Sequence, residues 1–354
     1  MKPRAVDWLL FIFVTFEFLS GLGSFLIGRP EGQAIFWIHT VVGLGTLLLL
    51  VWKFRRVRVR VTEPRRWKLS TLISMLTAVA VLLTIGSGVL WAVVQRPLGY
   101  PNGMILHTAS AIGLLILMLW HQLLRFKPLR KRDLAGRRTV LNFLGFFAFG
   151  GLFWGVQEGV NRSLQTEGAM RRFTGSREAS PLGSETVSGN ASFPVTMWMF
   201  DNPRPISVDE WTLSVNGIGP TAIYTLADLT DLPQMTKEVT IDCTGGWYST
   251  QRWTGIRVGD LLALHQFPAS IHWVSFRSVT DYRWSLSLDE AKDALLATHV
   301  GDERLNHGHG APLRLVAPGQ RGFQWVKWVN EVRLLEGRDL GQWREIFVSG
   351  LGNV

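Results

Sequence analysis

Long apolar runs and short alternating runs divide this sequence into two unlike halves. The first half holds five apolar runs close to the length that a membrane-crossing helix needs, about 20 residues. They cover residues 6–27, 34–52, 69–94, 104–124 and 139–156. The first run lacks a convincing cleavage site and four others follow it, so we interpret it as a retained helix rather than a signal peptide.

Charge separates the same two halves and predicts an orientation. Residues 1–159 carry 19 Lys and Arg against 6 Asp and Glu, whereas residues 160–354 carry 18 against 21. Segment 53–68 alone holds eight cations and segment 125–138 holds seven. By the positive-inside rule these two segments and the N-terminus are cytoplasmic, which puts everything after residue 159 on the outer side. Because the cations lie in short loops between apolar runs, they do not indicate a nucleic-acid surface.

Two of the apolar runs repeat each other and carry a histidine at the same point. Residues 37–54 read WIHTVVGLGTLLLLVWKF and residues 105–122 read ILHTASAIGLLILMLWHQ, which superimposes His39 on His107. The repeat predicts a duplicated helical hairpin, two plus two, that forms an all-α transmembrane four-helix bundle with the fifth helix outside it.

The helices before these runs correspond as well. GLG at residues 21–23 matches GSG at residues 86–88, and both connecting loops hold an Arg-Pro pair, at residues 29–30 and 96–97. The glycines are expected to leave room for a flat macrocycle.

The paired histidines predict a haem site. The second and fourth helices run in the same direction, so His39 and His107 lie at the same depth, near the outer face. Two neutral imidazoles on facing helices are axial ligands that a b-type haem iron takes, whereas a single membrane histidine is usually a polar contact between helices. We therefore predict one haem b, held by these two residues.

Two further polar residues of the apolar runs have no assigned role. His121 lies on the same helix face as His107, but the repeat puts Lys53 at the matching place, which disfavours a second haem. We interpret His121 as an interfacial or quinone-side residue. Glu17 is costly within a membrane and is expected to face the interior.

In the second half, strand-like runs alternate with turns, and residues 258–264 and 288–298 are predicted as short helices, which indicates a mixed α+β domain. Motifs follow one another in a fixed order here. They are WTLSVNG at 211–217, VTIDCTGGW at 239–247, WTGIRVGDLL at 253–262, VSFRSVTDYRWSL at 274–286, HGAPLRLVAP at 309–318 and GFQWVKW at 322–328. The segment that contains them, residues 193–336, resembles the sulfite oxidase family of molybdenum–molybdopterin enzymes, which includes periplasmic methionine sulfoxide reductase catalytic subunits.

The resemblance implies a molybdenum site around the single cysteine. A lone cysteine is ordinarily a buried small hydrophobe and excludes an intrachain disulfide. Cys243, however, stands where the family has its thiolate ligand, and a soft thiolate suits molybdenum. Tyr282 stands where the family has a tyrosine near the oxo or substrate site. The residues that the resemblance assigns to molybdopterin are His309 and Arg314 and, at its phosphate end, Gly322, Phe323, Gln324 and Lys327.

The sequence also departs from the family. Sulfite oxidases place arginines before the first strand and shortly after the cysteine, where this chain reads FPVTMWMFDN and CTGGWYSTQRW. Arg252, Arg283 and Arg321 could supply charge, but they do not stand at matching positions. The substrate and the direction of the reaction therefore stay open.

An Arg pair also precedes the fifth apolar run, in GRRTVLNFLG at residues 136–145. It resembles an internal twin-arginine export signal, as a domain loaded with cofactor in the cytoplasm would require. The alternative is two more positive-inside residues.

The chain is therefore predicted to be multi-domain. The predicted segments are a haem b bundle at 1–126, a basic loop and fifth helix at 127–160, a linker at 161–192, a molybdopterin domain at 193–340 and a tail at 341–354.

Together these features predict a bacterial inner-membrane molybdoenzyme whose periplasmic domain transfers an oxygen atom to or from a small molecule. It would exchange electrons with membrane quinone through the haem, use the twin-arginine export machinery and bind no nucleic acid. Two alternatives stay open: a haem-free anchor that uses a soluble electron partner, and a metal-free binding or assembly protein.

Overall fold

The chain forms two structural units, and the boundary along the sequence falls between Arg177 and Glu178. The computed structural model describes residues 2–95, 102–130, 133, 137–179, 188–197, 200–217 and 219–351, and for residues 60, 66 and 137–139 it describes the backbone alone. The Arg-Pro pair at residues 96–97 lies outside the described residues.

Long helices build the first unit. They are α1 (Pro3–Ser24), α2 (Ala34–Thr62), α3 (Leu69–Val93), α4 (Gly103–Arg125) and α5 (Arg137–Leu164). Within the described part of the chain, five helices are long and apolar enough to cross a membrane, one for each predicted run.

Two of these helices extend well beyond their apolar runs. Helix α2 continues ten residues past Trp52, so much of the basic segment predicted as a loop is helical. Residues 161–176, predicted as part of a linker, also pack within this unit. Trp91 and Gln95 both donate side-chain hydrogen bonds to the Gly175 carbonyl, and Asn161 donates to the Ala92 carbonyl.

Helices α1 and α2 pack against each other, as do α3 and α4, and α5 packs along α2. The last contact depends on glycine. A Cβ built on Gly150 of α5 would lie 2.1 Å from the Val41 carbonyl oxygen of α2, and one built on Gly45 would lie 2.7 Å from the Phe146 ring. Small residues let membrane helices approach this closely, so α5 is an integral part of the helical unit.

Short strands and helices build the second unit, which follows a two-residue strand, β1 (Arg177–Glu178). The strands are β2 (Thr212–Asn216), β3 (Ala222–Thr225), β4 (Gln234–Cys243), β5 (Trp247–Arg257), β6 (Trp273–Ser278), β7 (Arg283–Ser287), β8 (Leu295–Val300), β9 (Glu303–Arg304), β10 (Arg314–Val316) and β11 (Val329–Leu335). The helices are α6 (Leu226–Asp231), α7 (Val258–Ala263), α8 (Leu288–Asp293) and α9 (Gln342–Val348).

The strands form two sheets around one apolar core. The first has the order β4-β5-β8-β10, and β9 pairs with the C-terminal end of β8. All these neighbours are antiparallel. The second has the order β3-β2-β11-β6-β7, in which only β2 and β11 run parallel. Large side chains such as Trp253, Phe276 and Trp284 are fully buried between these elements.

The structure confirms the predicted mixture of strands and short helices in this unit. One predicted element is wrong in its second part: the helix predicted at 288–298 ends at Asp293, and Leu295–Val300 is a strand. Apart from His299, its residues are β-branched or apolar and buried on both faces of a central strand, so periodicity alone could not separate the two. Within the predicted tail, Gln342 is fully buried and accepts hydrogen bonds from Ser285.

The α2–α5 contact yields the first prediction. Gly150→Ala is expected to destabilise the helical unit by about 1–3 kcal/mol, because the new methyl group meets the Val41 carbonyl. Gly151→Ala is the matched control, since nothing lies within 4 Å of a Cβ built there, and alanine ordinarily stabilises a helix relative to glycine by up to about 1 kcal/mol. Thermal unfolding of the full chain in detergent should shift in opposite directions for the two variants; equal shifts would contradict the close packing.

Candidate functional site

The cysteine thiol lies where the hairpin between β4 and β5 turns. Cys243 is the last residue of β4 and pairs with Trp247 at the start of β5. The Gly245 N–H approaches Sγ at 3.4 Å, and the Thr196 hydroxyl lies 3.9 Å from it. Burial raises the pKa of the Cys243 thiol, and the Gly245 N–H opposes this rise. The tight turn therefore presents a half-buried sulfur with a backbone donor beside it.

A second segment closes on this cysteine. Residues Gly322–Gln324 form a 3-10 turn, and a Cβ built on Gly322 would lie 3.2 Å from the Cys243 Cα. Arg321 ties this turn to β4, since its Nη1 lies 3.3 Å from Asp242 Oδ1 and its Nη2 donates to the Cys243 carbonyl at 3.3 Å. Both charged side chains are buried. The ion pair thus fixes the predicted phosphate-end segment against the predicted metal ligand.

His309 and Arg314 lie together in the interior. His309 Nδ1 is 3.0 Å from Asn306 Oδ1, and its ring packs on Phe193 with centroids 4.1 Å apart. Arg314 donates from Nη1 to the His309 carbonyl at 2.9 Å, and its guanidinium lies over the Trp253 ring. Burial lowers the pKa of His309 to about 4, helped by Arg314, and lowers the pKa of Arg314 to about 10.

Lys327 reaches the same region. Its ammonium donates to the Thr196 and Gly308 carbonyls at 2.6 Å each. Burial, followed by the nearby Arg314 charge, lowers the pKa of Lys327 to about 7. An anionic ligand would raise this pKa again, because it would stabilise the charged amine.

Tyr282 and Asp201 complete the surroundings. The Tyr282 hydroxyl donates to the Phe323 carbonyl at 2.6 Å, and burial together with Asp201 raises its pKa, so it stays protonated and acts as a donor. Asp201 is buried, and burial raises its pKa as well. The structure therefore brings Tyr282 to the Gly322–Gln324 turn, next to the cysteine.

This arrangement suits an anionic cofactor. Within the described residues, neither Arg314 nor Lys327 forms an ion pair, and no hydrogen bond of ordinary geometry reaches Arg314 Nε or His309 Nε2. Buried polar groups normally have partners, so Arg314 Nε is available to a bound anion, whereas the Phe193 and Pro194 backbone lies close to the His309 ring. No group of three or more His, Cys, Asp or Glu side chains in the described chain is arranged to hold a metal ion.

Comparison with known families decides the identity of this unit. Residues 200–343 match the model of the oxidoreductase molybdopterin-binding domain. The second unit is such a domain, of the sulfite oxidase family. This molybdopterin domain thus contains Cys243 and all the other residues predicted for the cofactor.

Curated relatives agree with this assignment. The chain is 27% identical over 168 residues to the protein-methionine-sulfoxide reductase catalytic subunit MsrP of Xanthomonas axonopodis pv. citri, covering 42% of this chain and 52% of that one. It is 31% identical to MsrP of Xanthomonas campestris pv. campestris, covering 31% and 39%. It is 28% identical to mitochondrial sulfite oxidase of Homo sapiens, covering 45% and 36%. The matches thus span about half or less of these relatives.

The three arginines considered from the sequence have different environments. Arg252 pairs with Asp302 at the surface, and Arg283 pairs with Asp339 and Glu345, so both are neutralised in ion pairs. Arg252 lies on β5 opposite Glu238 of β4, and of the three arginines Arg321 is the one that bonds Cys243. Sequence reasoning missed Asp242, the partner of Arg321. The signal that could have indicated it is a charged residue directly before the cysteine, in a buried strand. Sequence reasoning also missed Asn306 and Asp201, which no motif distinguishes.

The helical unit contains its own candidate site. A cavity of about 850 Å³ lies among the helices, and its lining includes His39 and His107. The two imidazole centroids are 6.1 Å apart, with their planes at 83°. His39 Nδ1 lies 2.8 Å from the Ser20 hydroxyl, and His107 Nδ1 lies 2.8 Å from the Thr84 carbonyl. Each ring is therefore held through Nδ1, which leaves Nε2 as the possible ligand atom.

Glycines make room for these two rings. A Cβ built on Gly88 would lie 3.0 Å from the His107 ring, and one built on Gly21 would lie 3.5 Å from the His39 ring. These glycines thus accommodate the imidazoles themselves. His121 makes a different contact, with Nδ1 3.1 Å from the Ser74 hydroxyl, and is not among the residues that line the cavity.

The buried ion pair yields the second prediction. Asp242→Asn is expected to lower the free energy of unfolding of the molybdopterin domain by about 3–5 kcal/mol, because it leaves a guanidinium buried without that carboxylate. Asp302→Asn, at the exposed pair with Arg252, should change it by no more than about 0.5 kcal/mol. Hydrogen–deuterium exchange in β4 and residues 321–326 of the full chain, measured across a urea series, reports the difference. Indistinguishable exchange in the two variants would contradict a structural role for the pair.

Proposed function

We propose that this protein is a membrane-bound molybdenum–molybdopterin oxidoreductase. It transfers an oxygen atom to or from a small extracytoplasmic substrate and exchanges electrons with membrane quinone through one haem b. The observation that carries the proposal is the placement of the chain's single cysteine in a molybdopterin-binding domain that also buries Arg314 and Lys327 without a carboxylate partner among the described residues. The same chain also carries two histidines that meet across a cavity in a helical unit.

In the molybdopterin domain, Cys243 would supply the thiolate ligand. His309, Arg314 and Lys327 would hold the anionic pterin, because backbone carbonyls hold the two buried cations without neutralising them and Arg314 Nε has no hydrogen-bond partner among the described residues. The Gly322–Gln324 turn would lie against it, since Gly322 leaves space beside Cys243. When bound, molybdenum supplies oxygen-atom transfer coupled to two electrons. The Gly245 N–H stabilises the thiolate, and Tyr282 and Arg321 hold the surrounding turn in place.

Molybdenum content tests the metal site. Cys243→Ala is expected to lower the molybdenum content of the purified full-length protein to background, because it removes the one protein thiolate. Thr240→Ala is the control, since Thr240 lies on the same strand but pairs with Thr250 at the surface. Metal analysis by mass spectrometry gives the readout. Wild-type protein without molybdenum would favour the metal-free binding or assembly alternative.

In the helical unit, the residues fit a bis-histidine haem. His39 and His107, whose ring centroids are 6.1 Å apart, would hold the haem iron between them. The cavity of about 850 Å³ beside them is lined mainly by apolar residues. Both Nδ1 atoms have hydrogen-bond partners, an arrangement that fixes the tautomer of histidine ligands. A bound haem would transfer single electrons.

The optical spectrum tests the haem site. His39→Ala and His107→Ala are each expected to abolish the b-type bands of the reduced, purified full-length protein. His121→Ala should retain them at wild-type intensity, since His121 bonds Ser74 and does not line the cavity. Wild-type protein without such bands would favour the alternative of a haem-free anchor with a soluble electron partner.

The proposed location depends on charge and helix count. Five candidate spans and two basic segments support a cytoplasmic N-terminus and an extracytoplasmic molybdopterin domain. The Arg pair at residues 137–138, at the start of α5, supports export by the twin-arginine machinery. In the proposed topology the molybdopterin domain is loaded in the cytoplasm and exported folded.

The names of the relatives define the substrate screen. They indicate oxygen-atom transfer at sulfur in sulfite and in methionine sulfoxide. Turnover of sulfite, S-oxides and N-oxides with a quinol or quinone analogue would assign both the substrate and the direction of the reaction. Turnover with a soluble electron partner but never with a quinone analogue would contradict the proposed electron path.

A further inference from the structure

A carboxylate inside helix α1 lies against one of the two cavity histidines. Glu17 Oε2 is 3.1 Å from His39 Nδ1, and the Glu17 side chain is only 16% exposed. Glu17 also lines the cavity, and its Oε1 is buried without a hydrogen-bond partner among the described residues. A carboxylate within a membrane span is costly, and such residues are usually retained for function.

The hydrogen bonds around His39 determine which nitrogen carries the proton. The Ser20 hydroxyl donates to the Glu17 backbone carbonyl at 3.1 Å, so its oxygen is an acceptor toward His39 Nδ1, 2.8 Å away. Glu17 Oε2 is the other acceptor near Nδ1. With two acceptors around it, Nδ1 carries the hydrogen, and Nε2 keeps the lone pair that a metal ligand needs.

The opposite histidine has a different partner. His107 Nδ1 lies 2.8 Å from the neutral Thr84 carbonyl. Gly43 of α2 leaves space for the Glu17 carboxylate, since a Cβ built on Gly43 would lie 3.2 Å from Glu17 Oε2. The two ligands predicted from the sequence repeat are therefore unequal, since a carboxylate faces one and a backbone amide carbonyl faces the other.

We infer that Glu17 is a positioning residue that lowers the reduction potential of the haem by placing a carboxylate oxygen 3.1 Å from Nδ1 of its ligand His39. This inference rests on the haem site under Proposed function. A carboxylate beside the ring N–H makes an imidazole ligand more basic. Ferric haem carries one more positive charge than ferrous haem, so a nearby carboxylate favours the oxidised form.

Midpoint potentials of the purified full-length protein in detergent test this role. Glu17→Gln is expected to retain the b-type bands, raise the midpoint potential and shift the electron paramagnetic resonance of the ferric haem. Glu158→Gln is the matched control. Glu158 also lines the cavity but pairs with Arg171, so it should shift the potential less and leave the ferric resonance unchanged.

Ser20→Ala provides a second, independent measurement. Without the Ser20 hydroxyl, the Nδ1–H of His39 can bond to the Glu17 carboxylate instead, and the midpoint potential should fall below the wild-type value. This variant decides the question if Glu17→Gln fails to hold haem: an unchanged or higher potential in Ser20→Ala would then overturn the inference.

The outcomes separate this inference from the proposed haem site. Wild-type protein without b-type bands overturns both. Wild-type protein with haem, together with an unaltered potential in Glu17→Gln, overturns only the role of Glu17 and leaves the haem site intact.

Discussion

The position of the cysteine thiol depends on one buried ion pair. Asp242 and Arg321 are both almost fully buried, and they join the end of β4 to the turn that Gly322 brings against Cys243. Burying two charges costs desolvation free energy, and their attraction offsets this cost only when their geometry is good. The benefit here is positional, since the pair and the bond from Arg321 to the Cys243 carbonyl lock the ligand and the turn in one register. Arg314, Lys327 and Tyr282 all lie around this locked pair of segments.

Around that fixed point, the site is assembled with unbalanced positive charge. Arg314 and Lys327 are held by backbone carbonyls and aromatic rings rather than by carboxylates. Carbonyl dipoles hold a cation in place without neutralising it, so the charge stays available to an anion. Burial lowers the pKa of both groups, and the Arg314 charge lowers the pKa of Lys327 further. A site built in this way gains stability when an anionic cofactor binds.

Sequence patterns revealed the elements and the ligand residues, because each has a local signal. Apolar length predicted the helices, the repeat singled out His39 and His107, and motif order singled out Cys243. The partners of these residues could not be predicted in the same way. Asp242 pairs with Arg321, which lies 79 positions later in the sequence, and Glu17 lies beside His39 only because α1 packs on α2. Such pairs depend on side-chain geometry between elements, which no local period encodes.

The two repeated hairpins of the helical unit have different surroundings. The two hairpins share their histidines, but only the first carries a carboxylate beside the ring, and only the first packs α5 along its second helix. Because Gly150 brings α5 into backbone contact with α2, α5 cannot be a separate anchor that is merely appended to the bundle. In the proposed topology it must first direct export and then pack against α2.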